Sequence, residues 1–266
     1  MLVLQNISKT FNPGTINEKK ALDGLNLHLR PGDFVTVIGG NGAGKSTMLN
    51  AAAGVWPVDE GRIILDGEDI TALPEHKRAH LIGRVFQDPM MGTAPNMQLE
   101  ENLALAARRG QRRGLSWGVT NAEREEYHER LKILGLGLED RMTSKVGLLS
   151  GGQRQAVTLL MAVLRKPKLL LLDEHTAALD PGTAAKVLEL SDKIVQENNL
   201  TTLMITHNMK DAIRHGNRLI MMNEGHIIPD IEGEEKKKLT KQQLIDMFAQ
   251  KGASIDSDEA LLTKGG

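Results

Sequence analysis

The chain has 266 residues, enough for one large domain or for a domain that carries an inserted subdomain. Its formal net charge of −1 gives no overall basic field that would favour nucleic acid, and the absence of cysteine excludes a disulfide framework and suits a reducing compartment. The sequence has no run of about 18 apolar residues, and its first residues lack the basic start and apolar stretch of a signal peptide. We therefore expect a soluble, cytoplasmic protein whose role at a membrane would depend on a partner.

Strand signals dominate the first part of the chain. We predict strands over Leu2 to Leu4, Leu25 to Leu29 and Phe34 to Ile38, and the second of these alternates apolar with polar residues. A further strand, Arg62 to Leu65, runs into Asp66-Gly67, the dipeptide of a tight hairpin. These elements predict an antiparallel β subdomain within an α/β fold.

A glycine-rich turn follows the third predicted strand and leads into a predicted helix. Its spacing, Gly39-x4-Gly44-Lys45-Ser46, fits a phosphate loop. Glycines permit positive φ and carry no Cβ, so successive N–H groups can converge on phosphate oxygens. Lys45 would reach the β- and γ-phosphates, and the Ser46 hydroxyl would ligate Mg²⁺. A turn that binds nothing is the alternative, but the flanking strand and helix favour the phosphate loop. The predicted nucleotide contacts are Gly39, Asn41, Gly42, Ala43, Gly44, Lys45, Ser46 and Thr47.

Between Gln87 and about Leu149 the strand signals vanish. A short helix from Pro74 to Leu81 and a strand from Ile82 to Phe86 precede this segment, and helices are predicted within it over Leu99 to Arg109 and Asn121 to Leu134. We interpret residues 87–149 as a helical subdomain inserted into the α/β core. The basic loop at 108–113 is either a solvated connection, which its composition favours, or a patch that binds phosphate or a partner.

After residue 149 the α/β pattern returns. A helix from Gly152 to Leu164 precedes the apolar strand Leu169 to Leu172, which ends in Asp173-Glu174. Open α/β sheets place their ligands at the carboxyl ends of strands, so Asp173 is predicted to hold Mg²⁺ directly or through water, and Glu174 to polarise an attacking water. Taken alone, two acids after an apolar strand often mark only the end of that strand. Together with the phosphate loop they predict the second half of a nucleotide site.

The last elements complete the core and lead into a charged extension. We predict a helix over Thr183 to Glu197, strands over Thr201 to Thr206 and Arg218 to Met222, a short helix from Met209, and one weak helix near Lys241 to Ala249. The fold class is therefore α/β, with a mixed or parallel sheet, an antiparallel β subdomain and an inserted helical subdomain. The phosphate loop resembles that of the P-loop NTPases, and this resemblance implies a core of RecA type.

The stretch Leu149-Ser150-Gly151-Gly152-Gln153 lies just ahead of the apolar strand. Its serine and glycine-flanked N–H groups at a helix start can form a second anion site that needs no lysine, although a simple helix N-cap is the alternative. This stretch closely resembles the signature of the ATP-binding-cassette (ABC) ATPases, in the order which that family shows. The resemblance implies that Ser150, Gly151, Gly152 and Gln153 of one copy close the nucleotide site of a second copy.

Three more short motifs resemble the same family. They are Val85 to Pro89 as its glutamine loop, Ala178 to Pro181 as its aspartate loop and Thr206 to Asn208 as its switch histidine. Each also has a plain reading, because Gln87 can merely leave a strand, Asp180 can begin a turn with Pro181, and most histidines are structural.

The resemblance also assigns roles to single residues. It implies that Gln87 links Mg²⁺ and water to the helical subdomain and a membrane partner, that His207 contacts the γ-phosphate, and that Asp180 belongs to the nucleotide site. Phe11 stands where the family places an aromatic ring that stacks on adenine; its alternative is edge packing. Two features depart from the family: His175 replaces a frequent proline, and residues 156–161 lack the usual arginines. Neither departure removes a phosphate ligand.

The resemblance implies an ATPase domain over residues 1–228, followed by a charged C-terminal extension over 229–266. We expect an enzyme that hydrolyses ATP with Mg²⁺, dimerises head to tail with ATP, and powers a membrane transporter from its cytoplasmic face. The expected partners are permease subunits and, indirectly, a solute-binding protein, with no nucleic acid. The motifs look most like those of bacterial amino-acid-type importers; an exporter or lipid-extraction ATPase and a soluble ABC ATPase are the alternatives.

Overall fold

The computed structural model describes residues 1–111 and 118–250. Its strands are β1 (Leu2–Phe11), β2 (Lys19–Leu29), β3 (Phe34–Gly39), β4 (Glu60–Leu65), β5 (Glu68–Asp69), β6 (Ile82–Val85), β7 (Leu169–Asp173), β8 (Thr202–Ile205), β9 (Arg218–Asn223) and β10 (His226–Glu232). Its helices are α1 (Lys45–Ala53), α2 (Glu75–Arg78), α3 (Leu99–Ala107), α4 (Asn121–Lys132), α5 (Gly151–Val163), α6 (Pro181–Asn198), α7 (Met209–Arg214), α8 (Gly233–Lys238) and α9 (Lys241–Gln250). The described chain divides into two units, residues 1–78 with those from 199 onward, and residues 79–198.

The first unit contains an antiparallel sheet in the order β2-β1-β4-β5. Leu4 of β1 pairs with Leu27 of β2 on one side and with Ile63 of β4 on the other, and all three side chains are buried. The β4–β5 turn has positive φ at Asp66 (55°) and Gly67 (85°), the backbone that a type I′ hairpin turn requires. The predicted hairpin is thus confirmed, and the predicted strand at Leu2 to Leu4 proves to be the start of a longer one.

The first unit also contains the strand that precedes the phosphate loop. Strand β3 pairs in parallel with β8 and with β9, and β10 pairs antiparallel with β9. Five of the six β3 residues are buried, as expected for a strand covered on both faces. The chain therefore leaves β3 for the phosphate loop at the same sheet edge where it leaves β8 for Thr206 to Asn208.

The segment after residue 228 is more ordered than its sequence suggests. The prediction of one weak helix there missed β10 and α8, while the predicted helix itself is confirmed as α9. Pro229 lies within β10, where the register with β9 shifts between Ile227 and Asp230. A proline lacks the N–H of a ladder hydrogen bond, so it is tolerated at such an irregularity. Leu239, Leu244 and Phe248 are buried against a cluster that includes residues of α7. The predicted domain boundary at 228 stays a prediction, and residues 251–266 lie outside the described part.

The second unit contains a parallel pair of strands and the helices α3 to α6. Strand β6 pairs with β7 from Ile82 opposite Leu169 to Val85 opposite Leu172. Helices α4 and α5 each begin with a capping box, in which the N-cap hydroxyl accepts from the third residue's N–H and the side chain of that residue accepts in return. Single 3₁₀ turns at Glu139–Arg141 and Val146–Leu148 connect α4 to α5. Within residues 1–111 and 118–250, no helix combines the length and apolar character needed to cross a membrane.

Candidate functional site

The phosphate loop can be built only with glycine at three positions. A Cβ on Gly39 would lie 2.3 Å from the Met222 carbonyl oxygen, and one on Gly44 would lie 2.5 Å from the Ala21 carbonyl oxygen. Gly42 and Gly44 have φ of 77° and 100°, a region that other residues rarely adopt. Helix α1 begins directly after Gly44 with no side-chain cap and no acidic residue in its first turn. The positive end of the helix dipole and the absence of an acidic residue in the first turn suit an anionic phosphate group.

Lys45 supplies the positive charge of this loop. Its side chain is buried, and Nζ donates to the carbonyl oxygens of Gly39 at 2.7 Å and of Gly40 at 3.0 Å. The Lys45 ammonium is therefore held against the phosphate loop, where a bound phosphate group would lie. Asn41 and Ser46 are exposed, so the Ser46 hydroxyl can be reached from solvent, whereas Thr47 is buried.

Phe11, at the end of β1, packs against a second ring. Its centroid lies 4.9 Å from that of Trp56 with an interplanar angle of 81°, an edge-to-face contact, and Lys9 Nζ lies 5.8 Å from its centroid. The edge-packing alternative for Phe11 is therefore present, while the ring remains partly exposed. Sequence reasoning missed Trp56, because no local pattern signals a contact between residues 45 positions apart. The stacking of Phe11 on adenine stays a prediction.

His207 is exposed in the segment that joins β8 to α7. On one side of it, the Thr206 N–H donates to the Val37 carbonyl of β3 at 3.1 Å. On the other side, the Asn208 side chain caps α7 by accepting from the N–H of Lys210 at 2.9 Å and of Asp211 at 3.3 Å. His207 thus lies between two fixed backbone positions at the edge of the sheet that carries the phosphate loop.

In the second unit, Asp173 ends β7 beside a cation that sequence reasoning missed. Its carboxylate lies 3.4 Å from a guanidinium nitrogen of Arg84, and the Arg84 guanidinium also covers the Phe86 ring at 4.5 Å from its centroid. Because Arg84 belongs to β6, next to β7, only the strand pairing reveals this ion pair. A divalent cation on Asp173 would have to share the carboxylate with Arg84.

Glu174 has an unusual backbone. Its φ is 46°, in the left-handed region, which costs a non-glycine residue on the order of 1–3 kcal/mol and persists only where the surroundings enforce it. Its carbonyl accepts from the Ala177 N–H at 2.9 Å, so a turn begins at once. Strained backbone of this kind concentrates at functional sites.

Gln87 is exposed just beyond the carboxyl end of β6. The carbonyl of the preceding residue, Phe86, accepts from Gln155 Nε2 at 3.0 Å, and Gln155 is fully buried in α5. This hydrogen bond therefore connects the glutamine loop to α5, the helix whose N-cap is Ser150.

In the stretch Leu149 to Gln153, the helix N-cap alternative is present in the structure, and the second anion site stays a prediction. Ser150 is the N-cap of α5, since its Oγ accepts from the Gln153 N–H at 3.3 Å, while Gln153 Oε1 accepts from the Ser150 N–H at 3.2 Å. Ser150 and Gly151 are nevertheless exposed, so capping does not hide them. A Cβ on Gly152 would lie 2.1 Å from the Thr183 methyl carbon, so this glycine allows α5 to approach α6 closely.

Asp180 likewise has the structural role that its plain reading predicts. Its carboxylate accepts from the Thr183 N–H at 3.0 Å at the start of α6. Hydrogen bonds from the Thr183 side chain and backbone lower the pKa of this carboxyl group, so it stays ionised near neutral pH. Asp180 remains exposed to solvent.

The basic loop at 108–113 is partly engaged within the second unit. Arg108 forms an ion pair with Glu123 at 2.8 Å, and Arg109 donates to the Ala162 carbonyl at 3.1 Å. Arg112 and Arg113 lie outside the described residues. The two described arginines therefore stabilise the helical segment, as a structural connection would.

The predicted site residues fall into two sets, one in each unit. The first unit holds Phe11, the phosphate loop Gly39 to Thr47, and His207. The second unit holds Gln87, Ser150 to Gln153, Asp173, Glu174 and Asp180. In the first unit, the phosphate loop and His207 follow the carboxyl ends of the neighbouring strands β3 and β8, a place where α/β folds bind ligands, whereas Phe11 ends β1 in the antiparallel sheet. In the second unit, Gln87 and Asp173 lie at the carboxyl ends of the paired strands β6 and β7, and Ser150 and Asp180 lie at helix starts.

Comparison with known proteins identifies the class. The family model described as ABC transporter matches residues 22–177, more than half of the chain. The dimeric post-hydrolysis state of the ATP-binding cassette MJ0796 bound to ADP and Pi superposes with a TM-score of 0.74 at 31% identity, covering 87% of this chain and 98% of that chain. The chain therefore belongs to the ABC transporter family, and the predictions of a P-loop NTPase fold and of an ATPase that serves a transporter are confirmed.

The relatives that are most informative about the transported solute are ATP-binding proteins of three transport systems. A tyrosine transport ATP-binding protein of Clostridioides difficile is 45% identical over 249 residues, covering 93% of this chain and 98% of the relative. A methionine import ATP-binding protein, MetN, of Corynebacterium diphtheriae is 34% identical over 273 residues, covering 98% of this chain and 76% of the relative. The chain spans only 58% of the length of the spermidine/putrescine import ATP-binding protein PotA of Pasteurella multocida, at 34% identity over 231 residues.

Proposed function

We propose that this ATPase powers the import of an amino acid or a similar small solute. The observation that carries the proposal is its 45% identity to a tyrosine transport ATP-binding protein along 98% of that relative. A methionine import relative supports the same substrate class. The proposed complex contains membrane permease subunits, which hold the chain at the cytoplasmic face of the membrane, and a solute-binding protein that delivers the substrate to them.

The first unit supplies the proposed nucleotide ligands. The N–H groups of Gly39 to Thr47 and the Lys45 ammonium hold the phosphates, because the loop is shaped by obligatory glycines and its helix start is uncapped. Phe11 provides a partly exposed aromatic face for adenine. His207 is proposed to contact the γ-phosphate from the adjacent strand end.

Three oxygen-bearing side chains are proposed to hold Mg²⁺. These are the Ser46 hydroxyl, the Asp173 carboxylate and the Gln87 amide, and all carry the hard oxygen ligands that Mg²⁺ prefers. Bound Mg²⁺ would supply charge neutralisation on the β- and γ-phosphates. Asp173 is held at the end of β7 by strand pairing and by Arg84.

Glu174 is proposed as the group that polarises the attacking water. A carboxylate can accept a proton from a water molecule while the water oxygen attacks phosphorus. The left-handed backbone at Glu174 also fits a catalytic position. The segment Ser150 to Gln153, of which Ser150 and Gly151 are exposed, and the exposed Asp180 are proposed to contact the nucleotide of a second copy in a head-to-tail dimer. Their exposure leaves them accessible to that partner.

Reconstitution tests the proposed import. The chain would be used to capture the proposed permease subunits from membranes, and the complex would be placed in proteoliposomes with the proposed solute-binding protein and supplied with ATP and labelled tyrosine or methionine. We expect ATP-dependent uptake that Lys45→Ala lowers strongly at limiting ATP, because loss of a charged hydrogen-bond donor weakens nucleotide binding by roughly tenfold or more.

Lys210→Ala removes an exposed lysine in α7 and serves as the matched control, with parental uptake expected. Uptake of neither amino acid in an otherwise active complex would contradict the substrate class. Equal nucleotide affinity in the Lys45→Ala and parental proteins would contradict the role of the loop.

A further inference from the structure

His175 follows Glu174 directly and is buried, with 1% of its surface exposed. Its Nε2 lies 2.9 Å from the hydroxyl oxygen of Ser191, a residue in the middle of α6 that is also 1% exposed. The Ser191 hydroxyl donates its proton to the Val187 carbonyl one turn earlier, at 2.8 Å. Because that proton is already used, Ser191 Oγ acts as acceptor and His175 Nε2–H as donor.

This two-step chain fastens the backbone next to Glu174 to a helix. If the buried His175 N–H moved away from Ser191 Oγ, water could not replace the lost acceptor. The free-energy cost of that loss keeps the two side chains in this geometry. Both side chains are buried and bound to each other, so their effect on the chemistry is sought in Glu174, the chain neighbour of His175.

Glu174 is the residue that needs such support. Its left-handed backbone is unfavourable for a side chain with a Cβ, so it must be enforced from both sides. On the amino-terminal side, Asp173 is fixed in β7, which pairs with β6, and is bound by Arg84. On the carboxyl-terminal side, the structure shows the His175–Ser191 hydrogen bond.

We propose that His175 and Ser191 form a positioning pair that holds Glu174 in its left-handed conformation and thereby sets the rate of ATP hydrolysis. The proposal rests on the proposed role of Glu174 as the residue that polarises water. It assigns a use to His175, which the sequence singled out as a departure from the family pattern. It also gives α6, whose first turn is capped by Asp180, a second role as a support for Glu174.

Two variants separate positioning from a structural role. Ser191→Ala leaves the His175 N–H buried without its acceptor, so it lowers stability as well as positioning. The double variant His175→Leu/Ser191→Ala removes both partners, and apolar replacement of both ends of a buried hydrogen bond can be nearly neutral for stability. We expect the double variant to melt close to the parental temperature, with a parental KM for ATP and a kcat about tenfold lower, as expected for a misplaced catalytic group.

The effect must also depend on the Glu174 carboxylate. In the Glu174→Gln background, where that carboxylate is absent, His175→Leu/Ser191→Ala should change the residual turnover less than about twofold. Val195→Ala, another buried position in α6, is the matched control and should leave kcat at the parental value.

The outcomes are distinct. A double variant with parental kcat, or one that lowers turnover equally with and without the Glu174 carboxylate, overturns the positioning role alone. Parental turnover by Glu174→Gln itself overturns the proposed function of Glu174, and the positioning role falls with it. A lowered kcat confined to the protein that retains Glu174, together with an unchanged KM, supports the proposal.

Discussion

The chain has a single tyrosine, Tyr127 in α4, whose hydroxyl is buried without a hydrogen-bond partner among the described residues. Burial, followed by the negative charge of Glu123, raises the pKa of this phenol to about 12. The folded protein therefore keeps the phenolic proton at a pH where the unfolded chain, with a pKa near 10, has released it. Because the unfolded state then binds fewer protons, stability falls as the pH rises through that window.

Tyr127→Phe should remove this fall of stability at high pH. Between about pH 10 and 12 the parental free energy of unfolding should fall by as much as about 1.4 kcal/mol per pH unit more than that of the variant. At neutral pH the variant should be as stable as the parent or more so, since it no longer buries an unpaired hydroxyl. Urea unfolding at several pH values measures both effects, and tyrosinate absorbance reports this residue alone. Absorbance that appears near pH 10 in the folded protein would contradict the raised pKa.

At the level of single residues, sequence reasoning worked best where a motif fixes its own backbone. The glycines of the phosphate loop were predicted from spacing, and each proves necessary through φ or through a backbone contact. Ser150 and Asp180 show a limit of that reasoning: the sequence offers a cap at Ser150 and a turn at Asp180 as alternatives to ligand binding, yet both residues cap helices and stay exposed. Arg84 was missed because its partner, Asp173, is distant in the sequence and adjacent only through strand pairing.

At the level of elements, one buried cation organises the end of the helix that follows the phosphate loop. Arg78 is 2% exposed, and its guanidinium donates to the carbonyl oxygens of Ala51 and Ala52, both at 2.8 Å, near the end of α1. It also donates to the carbonyls of Thr71 and Leu73 at 2.9 and 2.8 Å. Burial lowers the pKa of this arginine, but the ordinary value is so high that the group stays charged. The guanidinium therefore joins α1 to the segment after β5.

Arg78→Ala should lower the free energy of unfolding by on the order of 2–4 kcal/mol, because four carbonyls lose a charged donor and a cavity opens. Arg62→Ala, which removes an exposed arginine from β4, is the control and should change stability by less than about 0.5 kcal/mol. Urea denaturation measures both differences. Equal losses in the two variants would mean that the Arg78 hydrogen bonds contribute nothing specific.

Elements were predicted well in type and less well at their ends. Strand β1 was predicted only at its start, because Asn6 has a left-handed backbone at a register shift and breaks the apolar alternation. Strand β10 was missed because its proline and charged residues argue against a strand, whereas pairing with β9 supports the backbone. Helix α6 starts at Pro181, two residues before the predicted start, since the Asp180 cap sets its first turn.

At the level of the whole molecule, a variant that binds ATP but hardly hydrolyses it can test the proposed head-to-tail dimer. Glu174→Gln keeps the size of the side chain but loses the carboxylate, so turnover should fall roughly hundredfold or more while ATP and Mg²⁺ still bind. The variant should therefore migrate as a dimer with ATP, whereas the parent should be mostly monomeric. Adding Ser150→Arg places a bulky cation at the proposed contact and should abolish the dimer without preventing nucleotide binding.

The capping box of α4 provides a matched control for this experiment. Thr120 caps α4 in the same way that Ser150 caps α5, so Thr120→Arg removes an equivalent cap away from the proposed contact. The Glu174→Gln/Thr120→Arg protein should still dimerise with ATP in size-exclusion chromatography. Loss of the dimer in both double variants would assign the effect to helix capping. A monomeric Glu174→Gln protein, or a dimeric Glu174→Gln/Ser150→Arg protein, would remove Ser150 from the dimer contact.

The close approach of α5 and α6 at Gly152 has a mechanical consequence. Because the Thr183 methyl carbon lies 2.1 Å from the position of a Cβ on Gly152, the amino-terminal ends of these helices are in close contact. A displacement of the Ser150 end must therefore push on the Asp180 end, and a displacement of Asp180 must push back. We therefore expect the exposed residues Ser150 and Asp180 to be displaced together when a partner binds to either of them.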